Sequence, residues 1–243
     1  MNYTSNYALR KPLPQEAYNI ADFNFNADVL DAKVQRFATV TISAADALNK
    51  AADLVCSGTD DDLVFAQAIA LLPAEGGKIL ISEGTFSFGD TVTIGKANVT
   101  IEGCGAASVI TSSTDCLFAI TAPDITIKSL WLESDYVPVS SSNAIVLLNG
   151  AEALSLSEVR CDYYNGVSQA YARIIVGEAS QTEDSSSNIF ISGCRFSEKG
   201  SNVSCIAYLT SGSSLNGVAL MNATDKVMYY GNGVNGFACV NFQ

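Results

Sequence analysis

The most informative pattern in this chain is a nine-residue segment of alternating apolar and polar positions that occurs four times. It reads NVTIEGCGA from Asn98, DITIKSLWL from Asp124, ALSLSEVRC from Ala153 and NIFISGCRF from Asn188. Apolar residues at the second and fourth places predict a strand, and the alternation resumes shifted by one residue at the seventh and ninth places. Because strand side chains alternate between two faces, this shift predicts a backbone corner at the fifth and sixth places.

Another apolar run follows each of these units and supplies a third strand. These runs lie at residues 116–120, 144–148, 172–176 and 205–209, and a fifth, at 237–240, follows a degenerate copy of the unit, KVMYYGNGV. Two short strands, a corner and a third strand form one coil, and stacked coils bury a continuous core that one coil cannot bury alone. The chain is therefore predicted to be mainly β, a right-handed parallel β-helix of about five to six coils.

Composition and charge favour a folded domain and restrict its partners. The 243 residues are 48% hydrophobic and 16% charged, which favours a large core over disorder. The net charge of −12 would repel a phosphate backbone, so we expect no nucleic-acid partner. The sequence shows neither an apolar stretch of membrane-spanning length nor a secretory signal in residues 1–15, so we expect a protein made in the cytoplasm and no membrane partner.

The cysteines and the lack of histidine argue against several kinds of reactive site. The chain has seven cysteines, no CxxC pair and no histidine, so it predicts neither a zinc site nor a nucleophile activated by histidine. We expect no cofactor and no metal. Cys104 and Cys194 share the seventh place of the repeat, and we interpret them as reduced thiols in the core, with a redox or metal role as the alternative.

An amphipathic helix is predicted ahead of the repeats, over residues 60–72. Ser57, Thr59 and Asp60 suit a helix start, and apolar residues then follow at helical spacing. A helix in this place would cover the first coil, as terminal caps do in repeat proteins. The acidic run 60–62 is typical of the positive end of a helix dipole, and cation binding is the alternative.

The region around this helix has the order of features found in a known fold family. The matching features are the acidic helix start, Gly76-Gly77, a strand at 78–82, Glu83-Gly84-Thr85-Phe86, a strand at 91–94 and Asn98-Val99-Thr100-Ile101-Glu102-Gly103. In this order they resemble the opening of the pectate-lyase-like β-helix superfamily, which includes many phage tailspikes. The resemblance covers roughly residues 59–105 and implies the fold, not the activity. The aspartate cluster that would hold calcium for a lyase reaction has no counterpart in the middle repeats.

The first 37 residues differ in kind from the repeats. Their notable residues are Leu9-Arg10-Lys11-Pro12, Tyr18-Asn19-Ile20, Asp22-Phe23-Asn24, Asn26-Ala27-Asp28 and Leu30-Asp31. These resemble the N-terminal segment of tail-fibre and related appendage proteins from phages and prophages of Gram-positive bacteria. The resemblance implies that residues 1–37 attach the protein to other tail or baseplate proteins of the virion. A leader helix packed on the β-helix is the alternative.

The next segment predicts a helical linker. From Leu30 to Val55, apolar residues and Thr41 recur at alternating steps of four and three, which is typical of a seam between helices. The β-branched run 39–42 interrupts the seam, so two short helices are expected, with a monomeric linker as the alternative. The resemblance to tail appendages implies a homotrimer. The predicted divisions are attachment (1–37), helical linker with a possible trimerising coil (38–57) and β-helix (58–243).

Two outward columns of the repeat carry the candidate chemistry. The eighth place holds Gly105, Trp131, Arg160 and Arg195, and the tenth place holds Ala107, Glu133, Asp162 and Ser197. Trp131 beside Arg160 would form a cation–π pair, and Glu133 beside Asp162 would place two carboxylates about 4.8 Å apart, one strand spacing. This spacing is compatible with glycoside hydrolysis, and a solvated charge ladder is the alternative.

The connections between strands differ in length and contain the remaining candidates for binding. Tyr136, Tyr163 and Tyr164 could contact a glycan or a protein, with packing as the alternative. The sequence favours a non-enzymatic, trimeric virion protein that serves as a shaft or as a receptor-binding head for a host-surface glycan. A depolymerase acting on cell-surface polysaccharide through Glu133 and Asp162 is the alternative, and a phage-derived injection particle fits the same pattern.

Overall fold

The computed structural model describes two compact units of this chain. It describes residues 2–3, 9–11, 19–33, 38–112, 117–134, 146–148, 153–163, 175–177, 185–187, 190–198, 207–209, 214–216, 219–221 and 238–240. One unit comprises residues 1–38 and the other residues 39–243. The second unit is mainly β with parallel strands, whereas the first combines an antiparallel strand pair with a helix.

The first unit is a short antiparallel strand pair followed by a helix. Strand β1 spans Asn2–Tyr3 and pairs with β2, Arg10–Lys11. Helix α1 spans Ile20–Lys33, and the Asn19 side-chain oxygen accepts the Ala21 N–H at 2.9 Å. This cap satisfies one of the amide donors that a helix start leaves without a partner.

Arg10 connects β2 to α1 through its backbone and its side chain. Its N–H donates to the Asn26 Oδ1 at 2.6 Å, and the Asn26 Nδ2 donates back to the Arg10 carbonyl at 2.9 Å. Its guanidinium lies 3.1 Å from the Asp22 carboxylate and 3.7 Å above the centre of the Phe25 ring. Polar contacts, charge-assisted and largely shielded, therefore hold this unit together.

The second unit contains the remaining elements. They are β3 Thr39–Ser43, β4 Leu54–Val55, α2 Asp62–Leu71, β5 Gly77–Ile81, β6 Gly84–Phe88, β7 Val92–Ile94, β8 Val99–Glu102, a 3₁₀ helix Gly105–Ala107, β9 Ser108–Ser112, β10 Phe118–Ile120, β11 Ile125–Ser134, β12 Val146–Leu148, β13 Leu154–Tyr163, β14 Ile175–Gly177, β15 Ser185–Ser187, β16 Phe190–Ser192, β17 Arg195–Glu198, β18 Ala207–Leu209, β19 Ser214–Asn216, β20 Ala219–Met221 and β21 Ala238–Val240.

Parallel pairing between successive repeats builds two main sheets. The larger has the order β21-β20-β16-β13-β11-β8-β5-β3-β4, with β6, β9 and β17 continuing the same sheet beyond the corners. The smaller has the order β18-β14-β12-β10-β7. Because the chain enters one sheet, crosses to the other and returns beside its previous pass, the fold is β-helix-like. Its handedness and number of coils stay predictions.

The corners are made by residues in the left-handed backbone region. The sixth place of the repeat has φ of +52° at Ser129, +55° at Glu158 and +62° at Gly193. The first place has φ of +56° at Asn98 and +58° at Asp124. A positive φ turns the strand by one residue and lets both halves direct apolar side chains inward, which is the shift in the repeat pattern.

The first repeat departs from the expected alignment. The 3₁₀ helix inserts four residues after its corner, so Trp131 pairs with Val109 and Glu133 with Thr111, not with Gly105 and Ala107. The eighth and tenth columns therefore begin with a valine and a threonine. The prediction failed here because a local insertion changes the register without changing the apolar pattern around it.

This insertion also places one of the two repeat cysteines outside the core. Cys104 is exposed, and buried Ser108 takes the inward place, donating from its Oγ to the Ser82 carbonyl at 2.6 Å. Cys194 is buried as expected, and desolvation raises the pKa of its thiol to about 11. The interpretation of a core thiol thus holds for Cys194 and is wrong for Cys104.

The segment predicted as a helical linker over 38–57 contains strands in the structure. β3 pairs with β5, with Thr39 opposite Lys78, and β4 pairs with β3. Val40 and Ile42 are buried at alternate positions, so β-branched residues and tertiary pairing override the heptad spacing. Thr41 and Val55 consequently belong to the sheet and not to a helical seam.

Helix α2 forms close to the predicted place and contributes aromatic packing. Phe65 lies edge-on to Phe86, with ring centroids 5.5 Å apart, and to Phe88, at 4.9 Å. At the last turn, the Lys96 ammonium donates to the carbonyls of Ile69 at 2.7 Å and Leu72 at 2.6 Å. A cation at this end satisfies terminal carbonyls and complements the helix dipole.

Carboxylates occupy the side of β6 that has no neighbouring strand among the described residues. The N–H groups of Thr85, Ser87 and Gly89 point to this side, and they donate to Asp46 at 2.9 Å, Asp61 at 2.9 Å and Asp62 at 2.8 Å. The three donors are two residues apart because alternate strand residues direct their N–H groups to the same side. The Asp side chains therefore accept the hydrogen bonds that the carbonyl groups of a neighbouring strand would otherwise accept.

Among these three aspartates, Asp61 accepts the most backbone hydrogen bonds. It is fully buried and also accepts the N–H groups of Ser57 and Gly58, both at 3.0 Å. Its side chain makes no capping hydrogen bond to α2 and instead fixes the preceding loop and the β6 edge. Burial, followed by the charge and hydrogen bond of Asp61, raises the pKa of the Cys56 thiol to about 12.

We predict that Asp61→Ala lowers the free energy of unfolding by about 3 kcal/mol or more. The substitution leaves the partly buried N–H groups of Ser57, Gly58 and Ser87 without their acceptor, at about 1–3 kcal/mol each. Thermal and denaturant unfolding measures the loss. Glu75→Ala, which removes an exposed carboxylate of the turn after α2, is the matched control and should change stability by less than about 0.5 kcal/mol. Equal effects of both substitutions would contradict the assigned role of Asp61.

Candidate functional site

The candidate site lies on the outer face of β11 and β13, the two longest strands. In β11 the side chains of Ile125, Ile127, Leu130 and Leu132 are buried, whereas those of Thr126, Lys128, Trp131 and Glu133 are partly exposed. The corner at Ser129 separates these positions into two groups. Lys128 precedes the corner, and Trp131 and Glu133 follow it. The repeat thus presents polar and aromatic side chains outward on both sides of the corner.

Trp131 and Arg160 lie side by side in this face. They are directly opposite each other in the pairing of β11 with β13, and the Arg160 guanidinium carbon lies 3.9 Å above the centre of the indole ring. This is the cation–π contact that the sequence predicted. The Trp131 Nε1 is buried and has no hydrogen-bond partner among the described residues. One indole face is consequently covered by a cation, so a ligand would meet the guanidinium first.

Two carboxylate residues occupy the adjacent column. Glu133 pairs with Asp162 in the same register, one strand spacing or about 4.8 Å apart at the backbone. Glu133 is partly exposed. The strand pairing thus places the backbones of these two residues side by side. They are the residues that the sequence predicted for catalysis in the alternative function.

The remaining candidates fall in different places. Arg195 lies opposite Arg160 in the pairing of β13 with β17, so the basic column continues into a third strand. Tyr163 lies at the end of β13, opposite Ser134 on one side and Glu198 on the other. Tyr136 and Tyr164 lie outside the residues that the structure describes.

A charged cluster on the other side of the corner was missed in the sequence. The Glu102 carboxylate lies 2.7 Å from the Lys78 ammonium and 3.2 Å from that of Lys128. The hydrogen bond from Lys78, with a further one from Lys128, holds the pKa of Glu102 below its usual value. Glu102 and Lys128 both occupy the fifth place of the repeat, so comparing that column would have found this pair.

The corner carries a further polar contact between adjacent repeats. The Ser129 Oγ lies 2.9 Å from the Glu158 carboxylate, and both residues occupy the sixth place. Glu102 and Glu158 thereby already have partners within the protein. The Trp131–Arg160 pair and Glu133 lie beyond the corner and are the candidate groups that the sequence predicted.

The chemistry of the site suits recognition of polar, planar or acidic groups. A guanidinium presents a fork of N–H donors that fits carboxylate geometry, and an aromatic partner holds it in place. Within the part of the chain that the structure describes, no cluster of three or more acidic, cysteine or histidine residues could hold a metal ion. No helix among the described residues is long and apolar enough to cross a membrane.

Comparisons with known proteins add two structural likenesses. No protein-family model and no curated protein matches the chain. A solved pectin methylesterase in complex with a hexasaccharide is 12% identical, covering 81% of this chain and 80% of its own, with a TM-score of 0.44. The Geobacillus virus E2 protein ORF18 is 15% identical over 88% of this chain, with a TM-score of 0.37. This chain spans about half, 52%, of that viral protein. The fold assignment rests on the strand pairing itself.

Proposed function

We propose that this protein is a receptor-binding component of a phage or prophage tail, attached to the virion through residues 1–37. The observation that carries the proposal is the compact N-terminal unit. Asp22 and Asn26 both bind Arg10 there, and all three are among the residues that resemble the attachment segment of tail appendages. Because contacts among these residues hold the segment in one conformation, it can present a constant surface to another tail or baseplate protein.

The outer face of the β-helix-like unit supports the receptor-binding half of the proposal. Trp131 and Arg160 offer an apolar surface with fixed N–H donors, a combination suited to sugars. Because the guanidinium covers the ring, we expect a glycan with carboxylate groups to bind better than a neutral one. Three copies around one axis would present this face to the host surface three times, which strengthens attachment by multivalency.

Particle assembly tests the attachment role. We predict that a chain lacking residues 1–37 is made and folded but absent from purified particles, because its contact with neighbouring tail proteins is lost. Arg10→Met in the full chain should reduce incorporation in the same direction, since it removes the ion pair with Asp22. Lys50→Met, at an exposed residue of the second unit, is the control. Particles that carry the truncated chain at normal levels would contradict attachment through this segment.

Binding to a panel of carboxylated and neutral bacterial surface polysaccharides tests the receptor site. We predict that Trp131→Ala and Arg160→Met each weaken binding of a carboxylated polysaccharide about tenfold or more, as measured by biolayer interferometry. Arg160→Lys should restore the binding only in part, because an ammonium lacks the planar fork. Lys128→Met removes a cation from the same strand and serves as the matched control. An equal loss with Lys128→Met would point to unspecific charge attraction.

The register of Glu133 with Asp162 favours a second candidate function, cleavage of the bound polysaccharide. Retaining glycosidases hold two carboxyl groups about 5–5.5 Å apart, close to one strand spacing. Under this alternative, the protein releases new reducing ends from a polysaccharide that it binds, and Glu133→Gln or Asp162→Asn abolishes the release while binding persists. Binding without any release of reducing ends in the unmodified protein rejects the enzyme and leaves the receptor-binding proposal intact.

A further inference from the structure

Helix α2 is apolar on its outer side as well as on its inner side. Its inner side is buried and includes Phe65 and Ile69, yet Leu63 and Leu71 are 68% and 57% exposed. Residues 63–72 contain no charged side chain. A helix at the surface of a folded unit normally carries polar residues on the side that faces water. The exposed leucines therefore indicate a surface that a partner covers.

The exposed residues of α2 form one continuous stripe. They are Leu63, Ala66, Gln67, Ala70 and Leu71. At roughly 100° per residue they fall within about 140° of the helix circumference, and Gln67 is the one polar member. Neighbouring apolar positions of this kind mark interaction sites, whereas single exposed leucines do not. Because both sides of α2 are apolar, the helical spacing in the sequence does not select the buried side.

The shape of the stripe fits another α-helix. Leu63, Gln67 and Leu71 are four residues apart and form a ridge along α2. Ala66 and Ala70 form the adjacent row, and their short side chains leave a shallow groove beside the ridge. Large side chains of one helix pack into such a groove of another. The ridge is about 12 Å long, slightly more than two helical turns, so a partner helix of three turns would cover it.

Carboxylates surround the stripe. Near the start of α2, the exposed Asp60 lies against Gly89, and the exposed Asp90 follows that glycine. Beyond the end of the helix, Glu75 is exposed as well. A cation also lies at this end, the Lys96 ammonium, which is bound to carbonyls of the last turn. The strands β3, β4 and β7, which pack on α2, contain no charged residue.

These charges select among the possible occupants. Carboxylates lie at both ends of α2, so a second copy would bring like charges together whether the two helices run parallel or antiparallel. An anionic lipid surface would be repelled for the same reason. Lysine or arginine side chains beside an apolar stripe would instead meet the exposed carboxylates. Charge complementarity thus favours a basic amphipathic helix.

We propose that the outer side of α2 is a docking surface for a basic amphipathic helix of another protein. Large apolar side chains of the partner lie over Ala66 and Ala70. Its lysines or arginines lie beside Asp60, Asp90 and Glu75. This docking surface is separate from the receptor site on β11 and β13, and the proposal is independent of the attachment role of the first unit.

Titration of the full chain with a model peptide tests the proposal. The probe is a labelled peptide of about 18 residues, long enough to form a helix, with leucine and alanine on one side and lysine flanking them. We expect saturable binding by fluorescence anisotropy. Leu63→Gln and Leu71→Gln should each weaken it about fivefold or more, because each removes an apolar side chain from the ridge. A peptide with glutamate in place of lysine should bind about tenfold more weakly or less.

Leu48→Gln is the matched control. Leu48 is 97% exposed, and its N–H is bound to Glu83 after β5, whereas the ends of α2 lie beside Gly89 and Lys96. This variant should keep the affinity of the unmodified protein. Glutamine suits a helix, and unchanged thermal unfolding confirms that each variant folds. An equal loss with Leu48→Gln, equal binding of both peptides, or no binding of the lysine peptide at about 100 µM overturns the proposal.

Two further measurements identify the other possible occupants. Sedimentation equilibrium should give the same mass for the unmodified protein and for the double variant Leu63→Gln, Leu71→Gln. An oligomer that the double variant dissociates would assign the surface to a second copy and overturn the proposal. Flotation with phosphatidylcholine vesicles should show no binding. Vesicle binding that the double variant abolishes would assign the surface to lipid and overturn the proposal as well.

Discussion

The second unit depends on how its first strands are terminated. A parallel sheet that begins abruptly leaves a row of backbone N–H groups without partners, and such an edge invites pairing with other chains. Asp46, Asp61 and Asp62 accept the row on β6, and Asp53 accepts the Thr41 N–H on β3 at 2.9 Å. Carboxylates can accept several donors at once and carry a charge that repels another strand, so they end the sheet without extending it.

Beyond this edge, strands of successive repeats pair in register. This pairing brings the residues of the candidate site together. The corners at Ser129, Glu158 and Gly193 use a residue with positive φ at the same place, so like positions of these successive repeats lie beside each other. Trp131 therefore meets Arg160, and Glu133 pairs with Asp162, although each pair is 29 residues apart in sequence. The candidate site in this fold is a column of outward positions, and its chemistry changes from one repeat to the next.

The success and failure of sequence reasoning can be traced to particular residues. The strand alternation, the corner and the Trp131–Arg160 contact were predicted because they follow from local periodicity and from the alignment of repeats. The places of Gly105 and Cys104 were not, because the 3₁₀ helix shifts the register by four residues without altering the apolar pattern. The heptad spacing after residue 38 misled because Val40 and Ile42 satisfy strand alternation equally well, and pairing with β5 decides between the two.

The sequence by itself determined the period, the inward and outward positions of each strand, and the outward columns of Trp131, Arg160, Glu133 and Asp162. Tertiary structure decided which carboxylates end the sheet, the ion pairs of Glu102, and the outward direction of Leu63 and Leu71 on α2. The physical reason is the range of the interactions. Side-chain alternation acts over one or two residues, whereas Asp61 and Ser87, 26 residues apart, meet only when the coil has closed.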